Sequence, residues 1–487
     1  MTDLDLCDLP ATEAIRKFRA RELSPVELME AVIARAEQVE PTVNALCIRY
    51  FDQALEQAEE AERSYAGRAP GPRALEGLPV AIKDEVPIQG QPCSEGSLVL
   101  KDDIADHTAP IAERVLAAGG IAHARTTTPE FSCAGFTHSR LWGVTRNPWD
   151  PAFTPGGSSG GSAAALASGT ATLATGSDIG GSIRIPASFC GVVGFKPPFG
   201  RVPVDPPFNL DQYCHDGPLA RTVADCALFE NVIAGPHPND VVSLRPKLEI
   251  PERLDGIEGW RIALSVAPGD YPVDPEVAAN TLSAAEALRE AGAVVEEVQV
   301  DWRRADVTRA TLVHFGAIFG SSIGAHIAEH GDLMTPYAID LAERSTAALE
   351  ETTFYDGLEL EAKIYAELGR LFERYDLFVC PTVLTRGLAA GDDYVDHGLE
   401  VGGVNLDFYF DAITTPIFNI ASRCPVLAVP SGFADNGVPT GIQIVGRTYD
   451  DVSVFRAGAA YERIRPWLDG SERYPAVDSG PSRASAS

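Results

Sequence analysis

Apolar and polar positions along this 487-residue chain switch repeatedly between the spacing of an amphipathic helix and short apolar runs of strand length. Residues 10–66 read as helical. Within them Ser24, Pro25 and Glu27 combine an N-cap hydroxyl, a proline at the first helical position and a capping-box carboxylate, and Leu28, Val32 and Ala36 follow on one face. Residues 51–65 form a second, strongly acidic helix whose glutamates make a solvated face. Residues 78–84 are then a buried strand ending in charge, 111–118 a helix stopped by Gly119 and Gly120, and 121–126 a strand. Further on, the pattern predicts a compact helix over 163–168, a short strand over 171–175 and a helix over 222–234. A strand, helix, strand unit follows over 261–266, 274–291 and 294–300. Helices over 312–330 and 353–375, strands over 377–380, 426–429 and 441–445, and a helix over 452–464 complete the series. Strands alternating with helices place the chain in the α/β class, and the polar segment from residue 471 is expected to fray.

One stretch, residues 154–186, stands apart. Two glycine-flanked serine clusters, one holding Ser158, Ser159 and Ser162 and the other Ser182, bracket a small-residue segment, with eight glycines in all. Each glycine in an element costs roughly 1 kcal/mol relative to alanine, so the run needs a reason. Backbone N–H groups gathered into one concavity beside a serine hydroxyl hold an oxyanion, and glycine permits that approach. A flexible Gly/Ser linker is the plain alternative. The helix and strand predicted between the clusters argue against it.

Composition narrows the picture. With 45% hydrophobic and 22% charged residues the chain is of ordinary globular type. Its net charge of −30 repels phosphate backbones and anionic membranes, which speaks against nucleic-acid and membrane partners. No apolar run approaches the ~18 residues of a membrane span, and the acidic N-terminus lacks a signal-peptide core, so a cytoplasmic location is expected. The nine cysteines are scattered, without a C-x-x-C pair, and read as reduced thiols. Only six lysines occur, and one of them, Lys83, closes an apolar strand. Its plain reading is a surface lysine paired to Asp84 or Glu85. A lysine kept in so arginine-biased a chain also suits a cation that must lose its proton, which arginine cannot do.

Other motifs compete. His326 and His330 with Glu329 fit H-x-x-E-H, which would make a zinc peptidase with Glu329 as base; the same residues also read as the last turn of a helix stopped by Gly331. Residues 191–197 lack the GK[ST] end of a phosphate loop, and there is no G-x-S-x-G elbow. Two serines, a desolvated lysine and a nest of N–H groups suit acyl transfer: the lysine draws a proton from a serine nucleophile, and the second serine relays it. No metal or cofactor is called for.

The G-G-S-S-G-G-S block from Gly156, the D-I-G-G-S-I-R-I-P block from Asp178 and the P-V-A-I-K-D strand from Pro79 resemble the amidase signature family. The likeness extends through TPEF (128–131), TRNPWD (145–150), GFKPPFGRVP (194–203), GPLARTVADCAL (217–228) and the segment 424–446. It implies a large mixed, twisted β-sheet sandwiched between helical layers in one domain over 1–470. Within that domain, 1–70 would be a helical cover, 77–235 the core, 236–375 a variable substrate-covering region and 376–470 the rest of the core. The resemblance further implies Ser182 as nucleophile, Ser158 as bridging serine after a cis Gly157–Ser158 peptide, and neutral Lys83 as base. The N–H groups of Ile179, Gly180, Gly181 and Ser182 would form the oxyanion hole. Asp84 and Glu85 are expected to point away from Lys83.

The implied activity is hydrolysis of amides, anilides or carbamates through an acyl-enzyme, as in aryl acylamidases and urethanases of the family. The substrate would be a small amide or carbamate of aromatic or apolar character, and the protein a monomer or homodimer. Phe315, Ile318, Phe319 and residues 408–410 are candidate pocket walls, or ordinary core. Arg125-Thr126-Thr127 stands where the family often has K-T-N, so contacts near the acyl site are expected to differ. An amidotransferase A-type subunit, supplying ammonia to a partner, is the alternative; residues 345–358 do not reproduce its serine-glycine-tyrosine-rich motif.

Overall fold

The computed structural model describes residues 3–68, 71–467 and 475; nearly all of the tail expected to fray lies outside them. Eleven strands form one continuous sheet. In chain order they are β1 (Leu46–Arg49), β2 (Pro79–Lys83), β3 (Ile121–Thr126), β4 (Leu173–Asp178), β5 (Val193–Lys196) and β6 (His215–Ala220). The rest are β7 (Arg261–Leu264), β8 (Val294–Glu297), β9 (Leu377–Pro381), β10 (Val426–Phe433) and β11 (Pro439–Gly446). The spatial order is β1-β3-β2-β4-β6-β5-β10-β11-β9-β7-β8. Strands β3, β2 and β4 run parallel at one end, β9, β7 and β8 at the other, and antiparallel pairs join the two.

Period-two burial sets the layers. Leu377 and Val379 of β9, Leu427 and Val429 of β10, and Ile442 and Ile444 of β11 face one core, against helices that carry Phe18, Phe229, Leu288 and Phe455. The alternate residues Phe378, Cys380, Val426 and Val445 face a second core with Trp302 and Phe418. On that side, beside β2, β3 and β4, the apolar side chains of the sheet are the small ones of Ala81, Ala124 and Ala174, which lets the alanine-rich helix Gly160–Ala167 lie close. The mixed sheet between helical layers is the architecture expected above.

Strands β5 and β6 and the helix Pro336–Glu351 are not among the elements the pattern predicts, and two further elements depart from it. The stretch 10–66 is not helical throughout: after the capped helix Pro25–Val43, Asn44 takes a left-handed conformation (φ 53°) and strand β1 follows, antiparallel to β3. The helix expected over 312–330 is interrupted by a π-helical turn at Gly316–Gly320. There it crosses the helix Pro336–Glu351 closely, and a Cβ on Gly316 would stand 2.4 Å from the Ser345 carbonyl oxygen.

Candidate active site

Lys83 is the last residue of β2 and is wholly buried. Its strand runs parallel to β4, its own N–H donates to Thr175 Oγ1 (3.0 Å), and its side chain emerges at the carboxyl ends of both strands, where open parallel sheets hold ligands. There Nζ donates to Ser158 Oγ (2.7 Å) and Ser177 Oγ (2.9 Å). Ser158 lies two residues ahead of the helix Gly160–Ala167, and the Gly157–Ser158 peptide is cis. A Cβ on Gly157 would lie 2.3 Å from the Phe136 carbonyl oxygen, so the glycine is set by close packing as much as by any ligand. Ser159 N–H donates to the Ser182 carbonyl (3.1 Å), which ties the two serine loops together.

The second loop is organised by a buried carboxylate. Asp178, ending β4, accepts from Gly181 N–H (2.8 Å), Ile183 N–H (3.3 Å) and both arms of the Arg184 guanidinium (2.8 and 2.9 Å). Burial alone would raise its pKa, but Arg184 and the Asn419 amide hold it down at about 2. Arg184 also donates to Thr415 O (3.0 Å), Gln443 Oε1 (2.6 Å) and Asn419 Oδ1 (2.7 Å). Thr415 Oγ1 in turn donates to Gly180 O (2.6 Å). Gly181 sits at φ +126°, and a Cβ there would meet Thr415 Oγ1 at 2.0 Å, so only glycine fits. Ser182 is 8% exposed at a recess lined by Ile179, Gly180, Ile185, Phe315, Phe319 and Phe410. No hydrogen bond joins Ser182 Oγ to Ser158 among the described residues.

Several expectations change. Asp84 does point away: its Oδ2 accepts from Ser94 Oγ (2.6 Å), Gly96 N–H (3.0 Å) and Trp142 Nε1 (3.2 Å). Glu85 does not. Its Oε1 stands 2.9 Å from Lys83 Nζ, an ion pair off the hydrogen-bonding angle. The strand ends at Lys83 and the chain turns at once, with Val86 N–H donating to the Lys83 carbonyl (3.0 Å), so the Glu85 side chain lies against Lys83 while Asp84 is held by Ser94, Gly96 and Trp142. Burial would raise the Glu85 carboxyl, but the Lys83 charge and neighbouring hydroxyls hold it below the usual carboxylate range. Gly181 is a second correction: its N–H, expected in an oxyanion hole, is directed at Asp178 because that carboxylate gathers the turn leading into the helix Arg184–Cys190.

Residues that sequence reasoning left without a role are Ser177, Asp178, Arg184, Thr415 and Asn419. The first three lie in or beside the glycine-serine motifs, and their types alone, a hydroxyl and an acid-base pair six residues apart, were the available signal. Arg125, where the pattern differs from the family, is buried, and its Nη2 donates to the carbonyls of Lys83 and Asp84 (3.0 Å each) and of Val86. It clamps the turn that carries Lys83 and Glu85.

His326 and His330 lie on the helix Gly324–His330, which has no buried residue, and His326 stacks on Phe131 with ring centroids 5.7 Å apart. Among the described residues no three His, Cys, Asp or Glu side chains converge as metal ligands, so the H-x-x-E-H pair lacks the third ligand a zinc site needs. No single helix among them is long and apolar enough to cross a membrane.

A family model described as Amidase matches residues 27–455. The chain is 34% identical to one component of the glutamyl-tRNA(Gln) amidotransferase of Chloroflexus aurantiacus, its A-type subunit, over 95% of this chain and 98% of that one. It is 33% identical to an acylamidase of Rhodococcus erythropolis, over 96% and 98%. Among solved structures, a bacterial aryl acylamidase of the amidase signature enzymes superposes with a TM-score of 0.88 at 29% identity, covering 97% of this chain and 99% of the other.

Proposed function

This chain belongs to the amidase family, and on that premise we propose that it hydrolyses amide-type C–N bonds through an acyl-enzyme on Ser182. The observation that carries the reading is the buried Lys83 Nζ to Ser158 Oγ bond of 2.7 Å, held beside the loop that presents Ser182. In the proposed reaction neutral Lys83 takes the Ser158 proton as Ser158 takes that of Ser182, and Ser182 Oγ bonds to the substrate carbonyl carbon. The N–H groups of Ile179, Gly180 and Ser182 receive the oxyanion. Collapse breaks the C–N bond, with Ser158 returning the proton to the leaving nitrogen. Water, deprotonated by the same pair, then cleaves the ester and restores Ser182.

Lys83 is paired with Glu85, so this mechanism requires it to shed a proton before turnover. The aromatic recess of Phe315, Phe319 and Phe410 at Ser182 favours an aryl or apolar group on one side of the scissile bond, anilide, amide or carbamate. A second reading, an amidotransferase A-type subunit that releases ammonia to a partner, draws on the similarly distant relative from Chloroflexus. The test is hydrolysis of an anilide, a primary aryl amide, an aryl carbamate and glutamine by wild type and Ser182→Ala, with chelator present. Loss of at least a thousandfold in Ser182→Ala, with chelator harmless, is expected. Activity that survives in the variant overturns the reading, and turnover of glutamine alone moves it to the second one.

A further inference from the structure

Beside the reaction site opens a cavity of ≈ 280 Å³ lined largely by apolar groups, among them Val86, Pro87, Phe131, Val204 and Phe319. It shares Ser132, Ile179 and Phe319 with the recess at Ser182, so the two spaces adjoin at these residues. Into this apolar space converge three carboxyl groups from separate segments: Glu85 from the turn after β2, Glu95 from the following loop, and Asp216 from β6. Only Glu85 meets a cation, the Lys83 ammonium at 2.9 Å. A fourth carboxylate, Asp205, is paired with His107 at 2.9 Å.

Asp216 is the informative member. It is 8% exposed, lines the cavity, and among the described residues has neither a hydrogen bond nor an ion pair. In the β4–β6 register it stands directly opposite Ser177, and cross-strand partners project to one face, which here is the face holding Lys83 Nζ. Burial and the Glu85 charge push the Asp216 carboxyl well above its ordinary range, and burial with Glu85 and Asp84 pushes Glu95 up to about 7. Buried carboxyls normally find a donor or a counter-charge. Among the described residues the buried Asp216 and the half-buried Glu95 have neither. The described residues bring no three possible ligands into metal-binding arrangement, and the apolar lining suits a carbon chain better than a hydrated ion.

We propose that this cavity is a cation subsite: it receives a primary ammonium group at the end of an apolar arm of the amide substrate, seated against Asp216 and Glu95 beside Glu85. The inference rests on the reading of Ser182 as the reacting residue, and it narrows the substrate to amides that carry an amine some bonds away from the scissile carbonyl. The test compares 5-aminopentanoyl anilide with pentanoyl anilide. Wild type is expected to prefer the ammonium compound by roughly tenfold or more in kcat/KM, mainly through KM. Asp216→Asn is expected to erase that preference while still cleaving pentanoyl anilide, and Glu95→Gln, a second variant in case Asp216→Asn does not fold, to reduce it. Calorimetric binding to Ser182→Ala needs no turnover: pentylammonium should bind more tightly than 1-pentanol. Equal kcat/KM for the two anilides together with equal binding of amine and alcohol overturns the subsite. Tight pentylammonium binding without cleavage of either anilide supports the subsite and sinks the hydrolase reading alone.

Discussion

Lys83 and Lys196 each end a strand of the same sheet, β2 and β5, and both are wholly buried, yet the groups around their nitrogens differ in kind. Lys83 Nζ touches two hydroxyls and a carboxylate at the edge of a cavity. Lys196 Nζ touches the carbonyls of Pro197 (3.1 Å) and Ser422 (3.2 Å) and, at 3.4 Å, His215 Nε2. Burial, reinforced by the Arg184 charge, brings the Lys196 pKa down to about 7, and burial with the Lys196 charge brings His215 to about 3. A lysine neutralised near pH 7 is therefore no mark of catalysis by itself. Only Lys83 has a hydroxyl that can pass it a proton. Desolvation makes a base available; the neighbouring atoms decide whether it has work to do.

Substitution separates the two. Lys83→Met should lower kcat/KM for an anilide by about a thousandfold or more with the fold intact by circular dichroism, whereas Lys196→Met should stay within roughly tenfold of wild type. Equal losses would mean that burial, not contact with Ser158, is what matters. The next effect is on stability. Lys196 falls from its ordinary 10.5 to about 7 on folding, so between those values the unfolded chain binds the extra proton. Wild type should therefore gain stability relative to Lys196→Met as pH rises from 7 to 10.5, by at most about 1.4 kcal/mol per pH unit. Urea unfolding at pH 7, 8 and 9.5 measures it, and a flat difference would mean that Lys196 keeps its charge.

The smallest effect concerns the ion pair. Glu85→Gln removes the carboxylate 2.9 Å from Lys83 Nζ and should change kcat/KM for the anilide by roughly tenfold, well short of the loss in Lys83→Met. A loss as large as that of Lys83→Met would mean that the pair, and not the Lys83–Ser158 contact alone, carries the reaction.

Much of the fold was legible along the chain because the patterns are local. The capping box at Ser24, with Ser24 N–H donating to Glu27 Oε2 (2.8 Å), and the strand Ile121–Thr126 lie where their residues predict. Strand β1 was hidden because four residues between two long helices carry too little periodicity to stand out. The π-helical turn was hidden because its cause, contact of Gly316 and Gly320 with Ser345 and Thr346, lies about thirty residues away. At the site the motifs located Lys83 and its Ser158 partner, and the hydroxyl of Ser177 went unassigned because only the β2–β4 pairing brings it to Lys83.

By itself the sequence determined the α/β class, the family, and which lysine and serines to examine, since those depend on residue types a few positions apart. The tertiary structure alone decided the electrostatics around them. Glu85 turned toward Lys83, Asp178 took the Gly181 N–H, and Asp216 arrived opposite Ser177 with no partner among the described residues. Each outcome depends on which strands lie side by side, and charge interactions act through space at a few ångströms, whatever the distance along the chain.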